Sequence, residues 1–239
     1  MAELGKAPVG YKDTPYLPGS EWRVHDADRP QPLEVKENNN IPSDSIILFE
    51  GNNLSEWRSV TSGDAEWRLS EDFMEVVPKS GNIQTVKTFS NIQLHLEFAC
   101  PSKVVGNSQQ RGNSGVFLMG LYEIQIMDGY SNRTYPDGLT GAIYGQYPPL
   151  ANACRKPGEW QTFDIVFEAP VYNKNVLVEP AYITVFLNGV LLHNRQAAQG
   201  PTGHKTLSFY PLEHPEKGPL MLQDHGNPVR FRNIWIREL

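Results

Sequence analysis

The chain has 239 residues, a formal net charge of -6, 20% charged residues and two cysteines. That length suffices to bury a substantial core in one domain. The negative balance, with no Lys/Arg-rich stripe, argues against a nucleic-acid partner, and no apolar run approaches the roughly 20 residues needed to span a bilayer, so no membrane insertion is expected. Cys100 and Cys154 are too few for a disulfide framework, and free thiols are favoured over a pair. The six histidines are scattered, without zinc-site spacing. The N-terminus lacks the basic and apolar regions of a secretory signal. The compartment stays open, with export after signal removal the favoured expectation, and the oligomeric state stays open too.

Residues 1–44 carry six prolines, many charges and little apolar periodicity, the pattern of an extended Pro-rich N-terminal arm, with Tyr11, Tyr16 and Trp22 as anchors. From residue 45 to 239 the pattern is that of a β-sandwich domain. Short β-type runs broken by Gly, Asn, Asp and Pro follow at 46–49, 67–69, 73–77, 83–85, 92–98, 115–119, 122–127, 162–167, 181–187, 190–194, 220–223 and 229–236. No amphipathic helix longer than two turns interrupts them. This predicts an all-β, two-sheet antiparallel sandwich or jelly roll. Asn188-Gly189 between two alternating runs is a type I′ hairpin signal. The interval 128–160 lacks strand alternation but is rich in Gly, Pro, Asn and aromatics, which reads as a functional loop.

The run Tyr122-Glu-Ile-Gln-Ile-Met-Asp128 alternates, so Tyr122, Ile124 and Ile126 face one way and Glu123, Gln125 and Met127 the other. Alone, that pattern fits a strand with a core face and a solvated face. Just before it, Arg111-Gly-Asn113-Ser-Gly115 sets a guanidinium, an amide and a hydroxyl among glycines, where backbone can approach a ligand. Just after it come Tyr135, Asp137, Tyr144, Gln146, Asn152 and Arg155. Acids and amides read hydroxyls while aromatic faces stack on pyranose C–H groups, so this composition suits a sugar. A second polar concentration is Gln223-Asp-His225-Gly226, followed by Arg230 and Arg232 on one strand face. His225 is a candidate general base or acid with Asp224 orienting it, and His95 beside Glu97 is a lesser candidate.

Arg111-Gly-Asn-Ser-Gly-Val-Phe-Leu, Tyr122-Glu-Ile-Gln-Ile-Met-Asp, Tyr135-Pro-Asp-Gly, Gly141-Ala-Ile-Tyr-Gly-Gln, Pro148-Pro-Leu-Ala-Asn-Ala-Cys-Arg, Gly158-Glu-Trp-Gln-Thr and His225-Gly-Asn-Pro-Val-Arg-Phe-Arg-Asn-Ile follow in order. Together with the opening Leu48-Phe-Glu-Gly-Asn-Asn-Leu-Ser-Glu-Trp57 they resemble the 3-keto-disaccharide hydrolase family, long a domain of unknown function. The resemblance runs from about 46 to 239, with Glu50 where the family has Asp. It implies a concanavalin A-like jelly roll acting on glycosides oxidised at C3. The ketone acidifies the C2 proton, a base removes it, the C1 aglycone leaves by β-elimination, and water adds to the enone. Such a site needs a base near C2, an acid near the glycosidic oxygen and a stabiliser for the enolate oxygen.

Face alternation and clustering then suggest Glu123 or His225 as base and Asp128 as its partner or as acid. Arg155 or a divalent cation is the candidate enolate stabiliser, and the metal requirement is open. Arg111, Asn113, Gln125, Tyr144, Gln146, Asn152 and Arg230 complete the candidate carbohydrate-binding set. Two other readings remain: a non-catalytic carbohydrate-binding sandwich module, and a conventional two-carboxylate glycoside hydrolase.

Overall fold

The computed structural model describes residues 6–38, 41–61 and 63–239. Contacts divide the chain into Met1–Ser43 and Asp44–Leu239. In the first unit, residues 11–28 turn back on themselves through bridges between Tyr11 and Asp26 and between Tyr16 and Arg23. The Arg23 guanidinium lies 3.9 Å from the centre of the Tyr16 ring. Two short strands, β1 (Glu37–Asn38) and β2 (Ile41–Pro42), pair antiparallel.

The second unit contains β3 (Ile46–Phe49), β4 (Trp57–Ser59), β5 (Arg68–Leu69), β6 (Met74–Glu75), β7 (Ile83–Thr85), β8 (Ile92–Ala99), β9 (Ser114–Leu118), β10 (Tyr122–Ile126), β11 (Gln161–Glu168), β12 (Val171–Asn173), β13 (Val176–Glu179), β14 (Tyr182–Leu187), β15 (Val190–Ala197), β16 (Met221–Leu222) and β17 (Arg230–Glu238). One sheet has the order β10-β9-β16-β7-β4. The other runs β15-β14-β11-β8-β17-β6-β5, with β3 also on β17. Every pairing among these strands is antiparallel.

Period-2 alternation explains the layering. Along β8 and β11, Leu94, Leu96, Phe98, Phe163, Ile165 and Phe167 are buried while the residues between them are partly exposed. Tyr122 of β10 meets Phe167 of β11 across the gap, ring centroids 5.5 Å apart, so the two sheets share one core. The chain is thus an all-β, two-sheet antiparallel sandwich, as its alternation predicts. Among the described residues no helix is long and apolar enough to cross a membrane.

The sequence pattern missed the short β1–β2 pair, β4, which is only three residues long, and the β12–β13 hairpin. The latter turns through Lys174 and Asn175, both at positive φ, without the glycine that usually marks such a turn. The Asn188-Gly189 turn does form, with φ of 52° and 79°. Asn188 also accepts from Thr162 N at 3.0 Å and donates to Ala153 O at 2.9 Å, tying the turn to the end of the long loop. Cys100 and Cys154 are free thiols, Cys100 being buried.

Replacing Asn188 by Ala removes both bonds, with a weaker third to Gln161 Oε1 at 3.3 Å, and leaves in the left-handed region a residue that visits it less readily than Asn. A loss of about 1–2 kcal/mol in urea unfolding is expected, with an unchanged m-value.

Candidate active site

The outer face of the five-stranded sheet, away from the shared core, carries the candidate site. On β10, Glu123 stands opposite Phe117, and Gln125 opposite Gly115. A β-carbon at Gly115 would come within 2.5 Å of Glu123 Oε1 and 3.0 Å of the Phe117 ring. Glycine at this point of the Arg111–Gly115 segment therefore makes room for the carboxyl. The face is polar as the alternation predicts, but it is not solvated: Glu123 is 5% exposed and Gln125 1%.

What covers it is the long loop. Its segment 141–144 lies along the free edge of β10, with Gln125 N donating to Ala142 O, Gly141 N to Gln125 O and Tyr144 N to Glu123 O, at 2.8–3.1 Å. A second loop adds Thr202, whose Oγ1 accepts from Glu123 N at 2.9 Å. His193 on β15 donates from Nε2 to Gly141 O at 3.0 Å, and Leu150 N donates to Leu192 O, which pins the loop to the other sheet.

Three amides form a directed network. Gln109 Nε2 donates to Gly138 O and Thr134 Oγ1, each at 2.8 Å, so its Oε1 faces Gln125 and Asn113. That oxygen accepts from Gln125 Nε2 at 2.7 Å and from Asn113 Nδ2 at 3.1 Å. With its NH₂ so committed, Gln125 leaves Oε1 buried without a donor from the described residues, as does Gln223. Buried acceptors left unpaired cost about 1–3 kcal/mol each, and a ligand hydroxyl would relieve that.

Glu123, Gln125, Gln109, Asn113, Gln223 and Phe117 line one cavity of about 510 Å³, with Tyr135, Tyr144, Thr202, His204 and His225 completing its wall. The Tyr144 hydroxyl meets Tyr135 Oη at 2.8 Å and His204 Nδ1 at 3.1 Å. Burial, reinforced by the Tyr135 hydrogen bond, raises the Tyr144 pKa and keeps the phenol protonated. Burial alone raises Glu123 to about 8, since among the described residues no cation or hydrogen bond offsets its desolvation.

Other candidates lie elsewhere. Asp128, 4% exposed, takes Arg111 Nε at 2.9 Å and a second bond from Arg111 Nη2, while its other oxygen accepts from Tyr130 N. This buried pair anchors the start of the loop and borders a separate cavity near Asn227 and Pro228. Gln146 bonds Gly200 O and Gln199 N, and Asn152 bonds Gly129 O. Arg155 donates to Trp160 O. Arg230 packs over Trp160 and Phe73. None of these six lines the Glu123 cavity. Asp224 accepts from Gly81 N and Gly226 N, shaping the turn rather than orienting His225. His95 sits on the other sheet, bonded to Asp164 at 2.7 Å. Among the described residues no group of three His, Cys, Asp or Glu side chains is placed to hold a metal ion.

The sequence pattern does not single out Gln109, Phe117, Thr202 or His204, and gives Gln223 no role beyond its place in the second polar concentration. Gln109 and Phe117 flank the Arg111–Gly115 segment. Thr202 and His204 lie in a stretch without periodicity and carried no local signal.

A carboxyl whose folded-state pKa exceeds its unfolded value of 4.5 binds protons more tightly in the native state, so stability falls as pH rises towards about 8. Glu123→Gln removes that loss. Its melting temperature should exceed that of the wild type by a margin that widens from about pH 5 and levels above about pH 8 in calorimetric scans. A margin independent of pH would contradict the buried, unpaired state of this carboxyl.

The model of the 3-keto-alpha-glucoside-1,2-lyase-like domain matches residues 44–237. Among solved structures, a candidate glycosyl hydrolase from Parabacteroides distasonis is 40% identical, with a TM-score of 0.84 over 98% of this chain and 100% of that one. Another from the same organism is 28% identical, TM-score 0.58, over 82% and 99%. A third, 21% identical with TM-score 0.61, shows the shared fold over 82% and 94%. No curated protein matches. With the family model matched over most of its length and a 40% identical relative covered from end to end, the chain belongs to the 3-keto-alpha-glucoside-1,2-lyase-like family of carbohydrate-active enzymes.

Proposed function

We propose that the protein cleaves glycosides whose sugar already carries a ketone at C3, by removing the C2 proton and expelling the C1 substituent, with hydration of the enone completing hydrolysis. The observation that carries this reading is Glu123, a buried carboxyl raised to about 8 by desolvation in a cavity lined by amides, hydroxyls and aromatics. A C–H next to a ketone is a weak acid and calls for a base stronger than an ordinary carboxylate. A desolvated carboxylate is such a base. It is also the only carboxyl among the described residues lining the cavity, which disfavours a two-carboxylate glycosidase. A pure binding module would gain nothing from a carboxyl that weakens the fold.

In this reading Glu123 is the base. Gln125 and Gln223 accept from sugar hydroxyls through their unpaired oxygens, and Asn113 helps hold the amide row. His225, exposed at the cavity wall with no side-chain partner among the described residues, is the group free to hydrogen-bond the enolate oxygen or to hold the water that adds to the enone. Arg111 and Asp128 act through the loop they anchor.

The test is release of aglycone from a 3-keto-glucoside and from its unoxidised parent, with and without chelator. Release from the oxidised compound alone is expected, and equal release from both would overturn the elimination. Glu123→Gln and His225→Ala should each lower turnover about 10²-fold or more. Because the base works deprotonated, kcat/KM should rise with pH and level off above about 8, where the free-enzyme carboxyl is ionised.

A further inference from the structure

The separate cavity at the Arg111–Asp128 pair measures about 390 Å³, and none of the residues that line it lines the Glu123 cavity. Its wall comes from the 101–105 stretch, the start of the Arg111–Gly115 segment and the turn that follows His225. The geometry points to this cavity as a binding site for a small carboxylate carried on an apolar body. The inference stands on this wall alone and does not depend on the elimination reading above.

The side-chain acceptors of the wall are already engaged. Asp128 Oδ2 receives Arg111 Nε and Nη2, and Asp128 Oδ1 receives Tyr130 N at 3.1 Å. Asn227 Oδ1 receives Gly112 N at 3.0 Å, and Gln110 Oε1 receives Asn107 N at 3.4 Å. The charged donors are not used up in the same way. Arg111 spends Nε and Nη2 on Asp128 and on Tyr130 O, and its Nη1 has no acceptor among the described residues. That nitrogen is not sealed in the interior either, so its two N–H groups open onto the cavity that Arg111 lines. Lys103, on the same wall, makes no ion pair among the described residues. A site with spare charged donors and committed acceptors takes a ligand that only accepts.

Charge narrows the ligand further. Arg111 and Asp128 cancel, and Lys103 leaves one net positive charge, which matches a single carboxylate better than a phosphate dianion facing Asp128. The rest of the wall is apolar: Val104 and Val105 stand 48% and 64% exposed, and Pro101 and Pro228 add rings that carry no N–H. An apolar body against these four returns the valines to a dry contact. No aromatic ring lines this cavity, so it lacks the platform on which a pyranose stacks and differs in kind from the Glu123 cavity.

The experiment titrates the ¹⁵N-labelled full chain with benzoate and follows the amides of Val105, Gly112 and Gly226. Benzamide serves as the neutral analogue, acetate as the carboxylate without a body, and inorganic sulfate as the oxyanion. Benzoate should shift these three amides saturably and bind about tenfold more tightly than either benzamide or acetate, with affinity that weakens as salt is added. Lys103→Glu reverses the spare charge and Val105→Trp fills the cavity, and each should weaken benzoate about tenfold or more. Both positions are exposed, so the fold is retained, whereas Arg111→Lys keeps a charge beside Asp128 and removes the Nη1 edge. Should Arg111→Lys fail to fold, the other two variants decide. Benzamide binding as well as benzoate would overturn the anion, acetate binding as well would overturn the apolar body, and sulfate binding more tightly would overturn the carboxylate. Absence of saturation below about 10 mM benzoate, or unchanged affinity in both Lys103→Glu and Val105→Trp, would overturn the site itself.

Discussion

The free edge of β10 is the constraint on which the site depends. An unpaired edge would leave backbone donors and acceptors open to water or to another chain. Here loop backbone at 141–144 and the Thr202 hydroxyl occupy it. The same bonds draw a roof over the outer face of the hairpin, so that one strand presents Tyr122, Ile124 and Ile126 to the core and Glu123 and Gln125 to an enclosed polar space. Edge protection and site formation are one structural event.

Two buried carboxyls near this strand illustrate how environment divides labour. Asp128 receives a guanidinium and a backbone N–H, and is committed to holding the loop. Glu123, five residues earlier, receives neither, and its affinity for a proton rises accordingly. Breaking the first pair would strand a charge, typically at a cost of about 3–5 kcal/mol, whereas neutralising the second relieves one. Two acids on one short segment thus meet opposite environments, one paired and one desolvated.

Much of this was legible in the sequence, for reasons of scale. Period-2 alternation is local, so it identified the longer strands and told which side chains of 122–127 share a face. The Asn188-Gly189 turn was legible because its backbone demands those residues. Burial of the polar face was not legible, since it depends on loops whose anchors, His193, Thr202 and Gln199, lie 50–80 residues away from the groups they bond. Nor could composition separate Arg111 and Asp128, which satisfy each other, from Glu123, whose carboxyl has no partner among the described residues. Arg155 and Arg230 looked like ligand cations because a sequence does not show the carbonyl or the indole ring that engages each of them.

The orientation of the Gln109 amide reaches further than its own contacts. Because its nitrogen is fixed by Gly138 and Thr134, the neighbouring amides must turn their nitrogens towards it and their oxygens away. The floor near Gln125 therefore offers lone pairs and no protons. A hydroxylated carbon can settle against such a surface, but an oxidised one, having nothing to give, is repelled from it. For the half-oxidised ring proposed as substrate, one glutamine would thereby set which way round it lies.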